Sequence, residues 1–214
     1  MKNHVNIIIK TLSPLYPDAK TALHYGDAFQ LLVSVILSAQ CTDERVNKVT
    51  PVLFAKYPDV YAFADADIED IKKIIYSTGF YNNKAKNILG ASKKIVSEFK
   101  GKMPRKIEDL LKIPGVARKT ANVVMGELYG ETSGIVVDTH VIRLSGRLGL
   151  VDEKFVRTKN AVKIEKVLME IVDKEKWALF PNLLILHGRA ICNARKPKCD
   201  NCVLKGVCPS FRKV

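Results

Sequence analysis

Long apolar runs are missing from this chain. No stretch approaches the roughly 18 uninterrupted apolar residues that a membrane span requires. Strand-like patterning is also missing: only Gly134-Ile135-Val136-Val137 has a β-like composition, and so short a segment without a partner makes no sheet. There are no heptads, no internal repeats and no low-complexity segment. Hydrophobic residues at 47% and charged residues at 27% exclude intrinsic disorder. The first residues, Met1 to Ile7, carry no apolar run of secretory length and no small-residue cleavage site, which sets the expectation of a soluble, cytosolic protein.

Acidic residues are in short supply. Twenty-two Asp and Glu face 35 Lys and Arg, for a formal charge of +13 in 214 residues. A field of that sign favours polyanions, nucleic acid first and an anionic membrane surface second. The excess is concentrated: from Leu186 onward, seven cations face the single anion Asp200. Cysteine is equally uneven. Cys41 stands alone and reads as a small buried hydrophobe, whereas Cys192, Cys199, Cys202 and Cys208 crowd together. Without a signal peptide, such a cluster points to metal ligation rather than disulfides.

What is present is helical periodicity almost throughout. Asp27 is placed to cap a helix over 29–37 that is apolar all round and therefore a buried central element. Further helices are expected over 44–57, 67–76, 82–99 with Asn82 as cap, 105–112, 118–129, 139–148 with Asp138 as cap, 154–172 and 175–188. Two of these meet at Ile113-Pro114-Gly115-Val116-Ala117, and the second opens with Arg118-Lys119-Thr120. A glycine turn feeding a helix start aims unpaired backbone N–H groups at one point, which suits a phosphate and ignores base sequence. An ordinary helical corner shares the Pro-Gly signature; Arg118 and Lys119 favour the phosphate.

Four thiolates in the spacing C-x6-C-x2-C-x5-C suit either tetrahedral zinc or an iron–sulfur cluster. The loop between the first two holds Arg195, Lys196 and Lys198, three cations pinned at both ends and available to phosphates.

Five segments, in order, carry a resemblance: LSAQCTD from Leu37, TGFYNNKAKNI from Thr78, IPGVARKTANVV from Ile113, VDTHVIRLSGRLGL from Val137 and LHGRAICNARKPKCDNCVLKGVC from Leu186. Together they resemble the helix-hairpin-helix superfamily of DNA glycosylases, over about residues 25 to 208. The resemblance implies an all-α enzyme of two helical lobes, one over 22–132 holding the hairpin at about 105–129. The other joins 1–21 to 133–214 and ends in the cluster loop 192–208.

It implies removal of oxidised pyrimidines from duplex DNA and β-elimination at the abasic site through a lysine Schiff base. It makes Lys119 the nucleophile; spacing alone reads that residue as a phosphate-binding cation. It makes Asp138 the essential carboxylate, compatible with its capping role. It selects a [4Fe–4S] cluster on Cys192, Cys199, Cys202 and Cys208. Gln40 falls on the gap-filling position. Phe80 stands where a leucine wedge is common, although a core aromatic reads as well there. Gly115, Val116, Ala117 and Arg118 fall on the phosphate-binding turn, with Ala117 replacing a glycine. His140 reads either as a DNA contact or as a structural histidine. Damaged duplex DNA is the implied partner of a monomer that engages no membrane.

Two competing functions predict other residues. The related enzyme that removes adenine from mispairs carries a glutamate where Ile36 stands and lacks the hairpin lysine. A non-enzymatic cluster protein needs neither Lys119 nor Asp138.

Overall fold

The computed structural model describes residues 1–213. Among them lie twelve α-helices and no strand: α1 (Lys2–Leu12), α2 (Ala28–Ser38), α3 (Asp43–Lys56), α4 (Val60–Ala64), α5 (Ile68–Ile75), α6 (Tyr81–Phe99), α7 (Ile107–Leu110), α8 (Arg118–Tyr129), α9 (Thr139–Arg147), α10 (Glu153–Arg157), α11 (Ala161–Ile171) and α12 (Leu179–Ala190). They form two compact units, Ala22–Leu128 and Met1–Thr21 with the chain from Tyr129 onward.

In the unit Ala22–Leu128, α2 is buried from Phe29 to Leu37 except at Gln30. Its all-round apolarity demands that position, since each fully buried Leu or Ile contributes roughly 1.5–3 kcal/mol. The Asp27 carboxylate caps it, accepting from Gln30 N–H at 2.8 Å. Phe63 of α4 sits at the centre of an aromatic group, edge-on to Phe29 at 5.3 Å and against Phe54 and Tyr57. The longest helix, α6, packs against α4, α5 and α2.

The second unit gathers Val5, Ile8 and Leu12 of α1, Val141 and Leu144 of α9, Ile164 and Leu168 of α11, and Phe180, Leu183 and Leu184 of α12 into one core. Cys192, Cys202 and Cys208 pack against it, so the cysteine-rich tail is attached to a hydrophobic floor.

Three local expectations need correction. Asn82 does not cap α6; the helix starts from Phe80, whose left-handed backbone (φ 49°) turns the chain without any side-chain cap. The helix expected over 154–172 is two helices, because Lys159 takes φ 50° and the Asn160 side chain accepts from Lys163 N–H at 3.1 Å, restarting the chain as α11. The helix expected from 175 begins at Leu179, after a 3-10 turn at Lys174–Lys176. In addition, α4 was hidden by its length, although Asp59 caps it by accepting from Ala62 N–H at 2.8 Å.

Two tyrosines stitch distant segments together. Tyr25 donates to the Glu127 carboxylate at 2.9 Å and Tyr57 to Asp70 at 2.5 Å. Burial, then these carboxylates, push both phenols up to about 12. A raised value means the bonds stabilise fully below the ordinary phenol value near 10 and are lost as pH climbs through about 12. Ultraviolet titration should therefore find protonated phenol persisting at about pH 11, and less of it in Tyr25→Phe or Tyr57→Phe. A wild-type curve that is complete by that pH would overturn the assignment.

Candidate functional site

The hairpin turn between α7 and α8 is held from both sides. Leu110, Ile113 and Val116 are buried, while Pro114, Gly115, Ala117, Arg118 and Lys119 are exposed. Val116 N–H donates to Ile113 C=O at 3.1 Å, and α8 closes its first bond from Ala121 N–H to Ala117 C=O at 2.9 Å. Gly115 has φ 79°, and a Cβ there would lie 2.7 Å from Asn87 Cβ; a Cβ on Gly90 would meet Pro114 Cβ at 3.2 Å. The turn thus rests directly on α6, and Gly115 is required twice, by conformation and by space. Ala117 is not among the left-handed residues. Its methyl group therefore costs nothing in backbone strain. The first N–H groups of a helix have no carbonyl one turn earlier to bond, so the start of α8 presents donors and a positive helix end beside the exposed Lys119.

Gln40 and Phe80 are both exposed, and both adopt the left-handed backbone unusual outside glycine, with φ 53° and 49°. Such strain costs of order 1–3 kcal/mol per residue and collects at functional sites. Phe80 is 63% exposed, so it is not a core aromatic. Tyr76 and Tyr81, close to it in sequence, bring their rings together at 4.8 Å, tilted by 46°.

In the other unit, α9 organises everything. Asp138 caps it, accepting from Val141 N–H at 2.8 Å, and remains half-buried. Two positions into the helix, His140 Nδ1 lies 3.1 Å from Arg143 Nη2. A guanidinium has no acceptor, so in this contact Arg143 donates and Nδ1 accepts. Arg143 also donates to Gly188 C=O and Cys192 C=O, both at 3.1 Å. Burial, and after it Arg147, disfavour its charge, whereas Cys192 and Asp138 favour it. A Cβ on Gly188 would come within 3.0 Å of both Arg143 Nη2 and His140 Nδ1, so glycine admits this approach.

One turn further along α9, Arg147 donates to Cys192 Sγ at 3.3 Å, Asn193 C=O at 2.8 Å and Ala194 C=O at 2.9 Å. Arg143 and Arg147, four residues apart, share one helix face. Both grip the start of the cysteine segment. Arg195, Lys196 and Lys198 lie exposed on the loop that follows.

The four tail cysteines form no disulfide and are each half-buried. Burial pushes the Cys202 and Cys208 thiols up, and Cys192 and Cys199 push both the same way. His187 lies between Tyr16 and this group, with Nδ1 3.3 Å from the Tyr16 hydroxyl and Nε2 3.3 Å from Cys202 Sγ. Among the described residues, no three His, Cys, Asp or Glu side chains gather tightly enough to hold a single metal ion.

The expected residues divide by unit: Gln40, Phe80 and Gly115 to Lys119 in one, Asp138, His140, Arg195, Lys196, Lys198 and the cysteines in the other. Sequence reasoning missed Lys84, Arg143, Arg147 and His187. For the arginines, the signal available was a pair of cations four apart on one face of an amphipathic helix.

Comparison with known proteins adds an independent line. The model of the HhH-GPD superfamily of base excision DNA repair proteins matches residues 33–174. Endonuclease III of Synechocystis sp. is 52% identical over 209 residues, covering 98% of this chain and 93% of that protein. The structure of a non-covalent endonuclease III–DNA complex aligns with a TM-score of 0.88 at 38% identity, over 100% of this chain and 97% of that one. A trapped endonuclease III–DNA covalent intermediate aligns with a TM-score of 0.87 at 38% identity, over 100% and 98%.

The geometry of the turn makes a direct prediction. Gly115→Ala should destabilise the protein by about 1–3 kcal/mol in a denaturant titration and weaken DNA binding with it. Unchanged stability would mean that α6 yields to the added methyl group.

Proposed function

We infer the function from one premise: the chain belongs to the HhH-GPD superfamily of base excision DNA repair proteins. Its activity is that of an endonuclease III, a DNA N-glycosylase that removes oxidised pyrimidines from duplex DNA and cleaves the abasic site. The observation that carries this reading for the chain's own residues is an exposed lysine, Lys119, in the first turn of α8, directly after a turn built to present backbone donors.

The sequence of events follows from these groups. Gly115, Val116, Ala117 and Arg118 take a backbone phosphate through main-chain N–H groups and a guanidinium, independently of sequence. The target base leaves the stack, and Gln40 and Phe80 occupy the space it vacates. The Lys119 amine in its neutral form attacks the sugar C1′; the C1′–N bond breaks and its electron pair leaves with the base. The amine proton passes to a base, and ring opening gives an imine between Lys119 Nζ and C1′. Loss of a C2′ proton then expels the 3′ phosphate, and water releases the enzyme. Asp138, held by the α9 N-terminus, supplies the negative charge that an oxocarbenium-like sugar demands and an acceptor for the proton. His140 serves through its bond to Arg143 as a positioning residue for this helix start.

Four thiols suit either a tetrahedral zinc or an iron–sulfur cluster, and the spacing C-x6-C-x2-C-x5-C is that of the cluster loop the family resemblance implies. Burial, and after it Cys192 and Cys199, push the Cys202 and Cys208 thiols up, a cost that a bound cationic cluster would remove. We therefore assign Cys192, Cys199, Cys202 and Cys208 to a [4Fe–4S] cluster, a group whose chemistry is one-electron transfer and which here would tie the tail to α9. His187 and Arg147 would support two of its ligands, through Cys202 Sγ and Cys192 Sγ. Arg195, Lys196 and Lys198 add phosphate contacts that weaken with salt. No helix among the described residues is long and apolar enough to cross a membrane, and we assign the enzyme to the cytoplasm, acting on chromosomal DNA.

Borohydride trapping on a duplex with one thymine glycol tests the nucleophile. Wild type should form a covalent adduct, and Lys119→Gln should form none while still binding DNA; an adduct with Lys119→Gln would refute the assignment. Asp138→Asn keeps a capping side chain and should slow base release by about 100-fold or more with little loss of affinity. Equal losses in both would reduce Asp138 to a cap.

A further inference from the structure

Among the described residues, Lys84 is the only lysine or arginine that is buried, at 4% exposure. Its ammonium meets no carboxylate. It donates to two main-chain carbonyls, Leu37 C=O and Thr78 C=O, each at 2.8 Å. Burial disfavours the charge, with the nearby Cys41 opposing that effect in part. An apolar side chain of similar length would fill this space without the desolvation that an ammonium suffers. The donors, rather than the volume, are what the position uses.

Both carbonyls belong to ends. Leu37 lies in the last turn of α2, where carbonyls lack an intrahelical partner and the helix end is negative. Thr78 closes the 3-10 turn Tyr76–Thr78, and its side chain is occupied by Ile75 C=O at 2.8 Å. Three residues beyond Leu37 stands Gln40, and two beyond Thr78 stands Phe80, both left-handed. The main-chain bonds of each loop are short-range: Ala39 N–H to Ile36 C=O at 3.4 Å and Cys41 N–H to Ser38 C=O at 3.1 Å in one, Gly79 N–H to Tyr76 C=O at 3.3 Å and Lys84 N–H to Phe80 C=O at 3.1 Å in the other. Lys84, in the first turn of α6, is the side chain that ties one loop to the other.

We propose that Lys84 is a positioning residue for base extrusion, its ammonium fixing the Gln40 loop to the Phe80 loop so that the two side chains enter the duplex as one unit. The proposal rests on the reading above in which these residues fill the gap. It gives the two strained backbones a common anchor. It also separates two reactions of the enzyme. Displacing a paired lesion requires the gap to be filled, whereas a pre-formed abasic site has already lost its base.

The test uses the full-length, cluster-loaded enzyme and single-turnover rates on two duplexes, one with thymine glycol and one with a pre-formed abasic site. Lys84→Met should slow excision of thymine glycol by about 10-fold or more, with the abasic-site rate nearly unchanged. Lys84→Arg should recover part of the loss. In a Gln40→Ala/Phe80→Ala background, Lys84→Met should cost little more, since its effect passes through those side chains. Should Lys84→Met not fold, Lys84→Gln takes its place in the same cycle.

Equal slowing on both duplexes, or losses that add in full to those of Gln40→Ala/Phe80→Ala, would overturn the proposal, as would undiminished excision. A wild type inactive on thymine glycol would overturn the functional reading and this one with it; an active wild type with additive losses overturns Lys84's role alone.

Discussion

An α-helix leaves its first N–H groups and its last carbonyls without partners, and in a chain whose described residues form no strand those ends must be settled one by one. This protein settles several of them with polar side chains of its candidate sites. Asp138 satisfies the start of α9. Lys84 satisfies the end of α2, and Arg143 the end of α12 through Gly188 C=O. At the start of α8 no such side chain is needed if a phosphate supplies the acceptor. The sites of this molecule are its helix ends, and the buried helix faces exist to hold those ends still.

Two helices do most of the holding. Along α6, the chain leaves Phe80, reaches Lys84 within a turn, and then offers Asn87 and Gly90 as the surface on which the hairpin turn lies. Along α9, Asp138, His140, Arg143 and Arg147 follow one another down to the cysteines. Each helix therefore converts sequence spacing into fixed distances between groups that must cooperate. Both depend on glycine where backbones come close: Gly115 against Asn87, and Gly188 against Arg143. Exposed ion pairs such as Lys48–Glu44 and Arg212–Asp200 play no comparable part, because solvent screens them and their side chains are mobile.

This division explains what could be read from the residues in advance. The apolar envelope of α2, the start of α8 and the Asp138 cap are local properties, set by periodicity and by a side chain within three residues of its partner. The break between α10 and α11 was not legible, because a lysine in the left-handed region carries no marker and Asn160 reads as readily as an ordinary helical residue. Lys84 and Arg143 were invisible for a different reason. Their partners are carbonyls 47 and 45 residues away. Every residue has a carbonyl, so composition gives no hint of such a pairing. Phe80 lies between these cases: its place in the turn was legible, whereas its exposure required the backbone to adopt φ 49°.

The same distinction bears on the chemistry. With 35 Lys and Arg in the chain, a cation near DNA is common and its identity matters little to attraction. Arg195, Lys196 and Lys198, on an exposed loop, are interchangeable in that sense. Lys119 is not, because it stands at an exposed helix start whose turn is seated on α6 through Gly115, so its backbone is fixed where the loop cations' is not. Lys84 is the opposite extreme, a buried cation whose ammonium donates to two main-chain carbonyls. In the proposed reading, attraction, attack and alignment fall to cations of similar charge, and what separates them is how much backbone geometry surrounds each one.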